Sequence, residues 1–110
     1  MIEIYGNNVK LDNVEVTSGA KNGIYVNNNG QGAWTVTFNN IKTSGNAWAG
    51  IGLVAQTAGD SITANFTGTN TFAEATNVYA DITGYQDAVT VTGLSSAVVN
   101  AKLQKVWTAQ

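Results

Sequence analysis

The chain has no cysteine, no proline, no histidine and no arginine. The lack of cysteine excludes disulfides and thiol chemistry and does not by itself fix the compartment. With neither histidine nor cysteine, no conventional catalytic triad exists. The five cations are lysines scattered at Lys10, Lys21, Lys42, Lys102 and Lys105, so no basic patch is available to hold phosphates and nucleic acid is excluded as a partner. The absence of proline suits strands that hydrogen-bond on both edges. No apolar run approaches the ~18 residues of a membrane span, so no membrane insertion is expected. The opening MIEIYGNNVK has neither a positive region nor an apolar stretch, so any export signal is expected to lie outside this sequence.

What is present is a repeat within 110 residues, a length that suits one domain with a small core. VKLDNV (9–14), VTFNNI (36–41), ITANF (62–66) and VTVTGL (89–94) start 27, 26 and 27 residues apart. A second series interleaves with the first: Ile24, Ile51 and Val78 are spaced by 27, and so are Val26, Leu53 and Ala80. A shared period of this size is the mark of a solenoid. Each repeat carries at least two strands, punctuated by turns rich in Asn, Gly and Thr. Asn22-Gly23 and Asn29-Gly30 read as turn dipeptides. Ile2 to Tyr5 reads as a short strand.

The expected fold is all-β: a parallel β-helix of about four coils over residues 1–94. Residues 95–110 are expected to form a C-terminal cap or final half-coil of the same domain. For that tail two readings stay open. Val99, Leu103 and Val106 share a helical face that Ser96 would cap, whereas Lys105-Val106-Trp107 would begin another coil. Residues one period apart stack at ~4.8 Å and alternate residues point inward. This predicts inward ladders Val9-Val36-Ile62-Val89 and Leu11-Phe38-Ala64-Val91, and a stack of Asn13, Asn40 and Asn65 at the strand bend. An immunoglobulin-like sandwich would supply alternating strands but not two ladders with one period.

With these residues in hand, the chain resembles the pectate-lyase-like superfamily of right-handed β-helices over roughly residues 9 to 94. The resemblance is one of architecture. It implies, for a lyase, an arginine or lysine base with calcium-binding aspartates, and for a glycoside hydrolase a cluster of aspartates. No arginine exists here and no lysine stacks near an aspartate pair, so no catalytic residue is carried over.

The candidate site residues are Asp60 and Asp87, each two residues before a strand start and 27 apart. Stacked carboxylates would raise one pKa or hold Ca²⁺ between them. Trp34 takes the same position one repeat earlier, which suggests a sugar platform beside an acid pair. The plainer reading is two solvated turn aspartates, and composition favours it. Tyr25, Gly52 and Tyr79 share an outward column within an aromatic set that also includes Trp48, Tyr85 and Trp107. The two tyrosines either present a sugar face across the glycine notch or simply cover it. Thr37, Thr63 and Thr90 form a predicted outward threonine row, the ordinary dress of an exposed strand. Asn65-Phe66-Thr67 matches the glycosylation pattern, but its place in the inner Asn ladder argues against modification.

The function expected from this is non-catalytic, with no cofactor beyond the calcium option at Asp60 and Asp87. The chain reads as a structural or interaction module of an extracellular, cell-surface or virion protein, self-associating end to end or forming part of a larger fibre or adhesin. Polysaccharide binding through Trp34, Tyr25, Tyr79, Asp60 and Asp87 is the alternative, and a lyase or hydrolase fragment the next.

Overall fold

The computed structural model describes residues 1–81 and 88–109. The described chain is all-β. Its strands are β1 (Ile2–Ile4), β2 (Val9–Asp12), β3 (Glu15–Thr17), β4 (Asn22–Asn28), β5 (Ala33–Asn39), β6 (Lys42–Ser44), β7 (Ala49–Ala55), β8 (Ser61–Thr67), β9 (Thr71–Phe72), β10 (Val78–Asp81), β11 (Val89–Thr92), β12 (Val98–Val99) and β13 (Gln104–Trp107). They form three sheets, ordered β1-β4-β7-β10-β13-β12, β11-β8-β5-β2 and β3-β6-β9. Up to β11 the chain visits the three sheets in rotation. From β4 to β11 each strand pairs in parallel with the equivalent strand of the preceding repeat.

Alternation decides which residues are buried. In β5 the pattern AWTVTFN buries Trp34, Val36 and Phe38, while Ala33 and Thr35 face solvent. In β8 the same pleat buries Ile62, Ala64 and Phe66. These residues, with Ile24, Val26, Ile51, Leu53, Val78 and Ala80, make one core between the sheets. Full burial of each large side chain contributes roughly 1.5–3 kcal/mol.

The six-stranded sheet keeps the predicted spacing, with Ile24 beside Ile51 and Ile51 beside Val78. The four-stranded sheet corrects it. Val36 lies beside Ala64, not Ile62, and Trp34 takes the place beside Ile62. The inward columns are therefore Val9-Val36-Ala64-Val91 and Leu11-Phe38-Phe66. The shift is two residues, one full pleat period, so no side chain changes face. It stacks Phe38 on Phe66 with ring centroids 4.9 Å apart. It also moves the threonine row: Thr63 stands between Thr35 and Thr90, and Thr37 lies beside Asn65.

The Asn stack is corrected as well, because β8 runs on to Thr67 and its corner falls past Asn65. Asn13 and Asn40 occupy left-handed corners at φ 55° and 54°, and Asn40 Nδ2 donates to Asn13 Oδ1 at 3.0 Å. Both are exposed at the corner rather than inside it. The third corner is Gly68 at φ 69°, a residue for which that backbone carries no Cβ penalty. Asn65 instead sits on β8 facing outward and accepts from the Thr92 hydroxyl at 2.7 Å.

The tail is neither a helix nor another parallel rung. β12 and β13 form an antiparallel hairpin that adds to β10, with Trp107 beside Val78 and Val106 beside Tyr79. Trp107 is buried there, while Val98, Val99 and Leu103 stay exposed.

Candidate functional site

The outer face of the six-stranded sheet carries one column in register: Glu3, Tyr25, Gly52, Tyr79 and Val106. A Cβ placed on Gly52 would come within 3.1 Å of the Tyr79 hydroxyl and 2.8 Å of Asn22 Nδ2. Tyr79 therefore lies across the glycine and fills its missing side chain. Asn22 Nδ2 donates to the Tyr79 hydroxyl at 3.3 Å. Asn22 opens β4 and is only 2% exposed, so Asn22-Gly23 is strand and not the turn its sequence suggests.

Beside this column a groove of ≈ 420 Å³ is walled by Tyr25, Tyr79 and Trp48, with Glu3, Asp81, Lys21, Asn22 and Gln56 among its polar lining. Trp48 is 57% exposed. Lys21 Nζ lies 5.1 Å from the centroid of its ring. Lys21 and Trp48 are neighbours because their turns stack, with Trp48 N–H donating to the Lys21 carbonyl at 3.0 Å. Burial pushes the Tyr25 hydroxyl above its ordinary pKa; a bond from Gln56 opposes this, and the charges of Glu3 and Asp81 add to it. Tyr79 is raised likewise, first by burial, against a bond from Asn22 and with the Asp81 charge adding.

The predicted site residues separate. Tyr25 and Tyr79 join this groove. Trp34 does not: it is 4% exposed in the core, because β5 begins at Ala33 and its alternation sets Trp34 on the same inward face as Val36. It offers no face to a sugar. Asp60 is also buried, and its carboxylate accepts from the N–H of Gly30 at 2.6 Å and of Gly32 at 3.0 Å. Both oxygens are engaged in pinning the 29–32 loop. Asp87 lies outside the described residues, as does Tyr85, so the proposed calcium pair is represented by Asp60 alone. No group of three or more His, Cys, Asp or Glu is placed to hold a metal ion among the described residues.

A second polar cluster sits under the turn between β6 and β7. Asn46 Oδ1 accepts from the Gly19 N–H at 2.7 Å, and Asn46 Nδ2 donates to Glu74 Oε2 at 2.6 Å. Glu74 Oε1 accepts from the buried Thr43 hydroxyl at 2.7 Å. Burial works against the Glu74 charge, but the bonds from Thr43 and Asn46 outweigh it and hold the carboxyl below its usual range. The Gly30 N–H, against burial and aided by Gly32 and Thr57, lowers Asp60 in the same way.

These two groups give the fold an acid limit. A carboxyl whose folded pKa is lowered binds its proton more readily in the unfolded chain, so stability rises with pH through that window. Melting temperature is expected to be flat above about pH 5 and to fall below it. The loss begins near the ordinary values of 4.5 for Glu74 and 3.8 for Asp60, and is complete below the folded ones. Thermal melts across acid pH check this, and Asp60→Asn with Glu74→Gln should flatten the slope. A midpoint unchanged by acid in the parent chain would contradict it.

Sequence reasoning missed Lys21, Asn22, Asn46 and Glu74 as site members. Spacing carried the signal: Lys21 and Trp48, like Gly19 and Asn46, are 27 residues apart, and Asn46 and Glu74 are 28 apart. The chain matches no protein-family model, no curated protein and no solved structure.

Proposed function

We propose that the three sheets, parallel up to β11, wind as a parallel β-helix of about four coils, and that this coil is a non-catalytic structural and interaction module. Rotation through three sheets with a register near 27 residues supports the winding. One observation carries the role. β1, β2 and β3 are the first strands of their three sheets and lie at the outer edge of each order. Ile2, Val9, Leu11 and Val14 there pack against the core but remain only half-buried. Unpaired edges backed by apolar residues are templates for further pairing. At the opposite end of the six-stranded sheet the β12–β13 hairpin covers β10.

The occupant of the open end in the isolated chain is a second copy, which would extend the stack. A charge-poor surface rich in Asn and Thr supports a place on an extracellular, cell-surface or virion-borne protein, where such modules present rigid faces. Light scattering over a wide concentration series, with electron microscopy of the same samples, tests the association. Mass should rise with concentration, and Val9→Lys on the exposed edge should suppress the rise while circular dichroism stays that of the parent. A monodisperse monomer at every concentration would sink this reading.

A further inference from the structure

The groove on the outer face of the six-stranded sheet is built to accept hydrogen bonds and positive charge. Asn22 is 2% exposed, and its Oδ1 has no hydrogen-bond partner among the described residues. A buried acceptor left unpaired is unfavourable by about 1–3 kcal/mol unless a ligand donates to it. Several neighbouring donors have partners within the chain. Asn22 Nδ2 serves the Tyr79 hydroxyl, Gln56 Nε2 serves Asn27 Oδ1 at 3.2 Å, and Lys21 Nζ lies against Trp48. Two carboxylates, Glu3 and Asp81, line the groove together with Lys21 and Met1. Asp81 Oδ1 accepts from Gln104 Nε2 at 3.2 Å.

The walls suit the same ligand. The faces of Trp48, Tyr25 and Tyr79 carry the negative side of the ring quadrupole, which attracts cations. Lys21 already shows the contact from within the chain, with its ammonium 5.1 Å from the Trp48 ring centre.

We infer that this groove binds an organic cation, an ammonium or guanidinium head on a short apolar body, held between the aromatic walls and the Asn22, Glu3 and Asp81 oxygens. Lys21 is the resident competitor, displaced from Trp48 when the ligand enters. Glu3 lies on β1, so the groove reaches the open end, while Tyr25, Trp48 and Tyr79 belong to later repeats.

Calorimetric titration of the full chain with n-butylammonium and n-butylguanidinium tests the site, with uncharged n-butanol as the control. Saturable binding of the cations and none of the alcohol is expected, weakening as salt is raised. Trp48→Ala should weaken it about tenfold, and Glu3→Gln and Asp81→Asn by up to about fivefold each. All three residues are exposed or on the groove rim, so folding is retained and circular dichroism verifies it. Lys21→Met should tighten binding severalfold, which a merely structural role for Lys21 would not produce. N-acetyl-lysine and N-acetyl-arginine amides separate the sources: tighter binding than the free amines assigns a basic peptide, and equal binding a free amine. The inference is overturned if n-butanol or a neutral oligosaccharide binds as tightly as the cations, if Lys21→Met weakens cation binding, or if no cation binds.

Discussion

Asn46→Ala is expected to remove about 3–5 kcal/mol of stability, the sum of a stranded buried N–H and a lost bond to a carboxylate. Asn46 is 5% exposed and joins three stretches of chain. It accepts from Gly19, donates to Glu74, and donates to the carbonyls of Val16 and Ser44 at 3.3 Å. Gly19 and Gly23 leave the room it occupies: a Cβ on Gly23 would come within 2.8 Å of Asn46 Nδ2 and 2.9 Å of the Gly50 carbonyl. Alanine keeps the backbone but none of these bonds. A domain of this size holds roughly 5–15 kcal/mol in all, so the melting temperature should fall by about 15 °C or more. Asn46→Asp should be at least as harmful, since it sets a second carboxylate against Glu74. Glu74→Gln, which keeps the geometry and loses the charge, should be milder. Urea midpoints of the three variants check the order. A change under about 1 kcal/mol for Asn46→Ala would mean that water replaces the amide fully.

Phe38→Ala should be of the same size, about 3–5 kcal/mol, through lost burial and the cavity left behind. Phe38 is fully buried between Leu11 and Phe66 and stacks on the Phe66 ring at an interplanar angle of 26°. Phe66 in turn meets Phe72 edge-on at 6.3 Å, which ties the four-stranded sheet to the three-stranded one. Phe38→Leu, closer in volume, should lose under about 1.5 kcal/mol. Trp48→Ala, at an exposed position, should stay within about 0.5 kcal/mol. A double-mutant cycle on Phe38 and Phe66 also tests the strand register. Stacked rings should couple by about 1 kcal/mol, whereas the register inferred from the aligned repeats sets Phe38 against Ala64. Zero coupling would contradict the pairing of β5 with β8.

Much of the architecture was legible because it depends on two local properties. Period-2 alternation marks which residues face the core, and a shared spacing of 27 marks which strands are equivalent. Both survive in Ile24, Ile51 and Val78, and in the Tyr25-Gly52-Tyr79 column. The register of the four-stranded sheet was not legible, since shifts of two residues leave every side chain on its predicted face. The offset grows from 27 at Asn28 and Ala55 to 28 at Ala33 and Ser61 and 29 at Lys42 and Thr71, then returns to 27 at Ile51 and Val78. Loop lengths that compensate in this way hide inside an unbroken repeat.

The candidate site suffered more. Trp34 and Asp60 were chosen by position in the repeat, but alternation along β5 makes the first a core residue and the bonds to Gly30 and Gly32 make the second a loop clamp. Trp48, Lys21 and Asn22 stand on turns and strand ends, where periodicity says little about direction. The sequence by itself determined an all-β chain with repeating parallel strands and its inward and outward faces, because those follow from neighbours along the chain. Only the tertiary structure decided the stacking register, the antiparallel closure by the tail and the grouping of aromatics, acids and an unpaired amide in one groove. Those depend on contacts between residues 23 to 57 positions apart, where packing of whole rings and pairing of buried polar atoms outweigh any local preference.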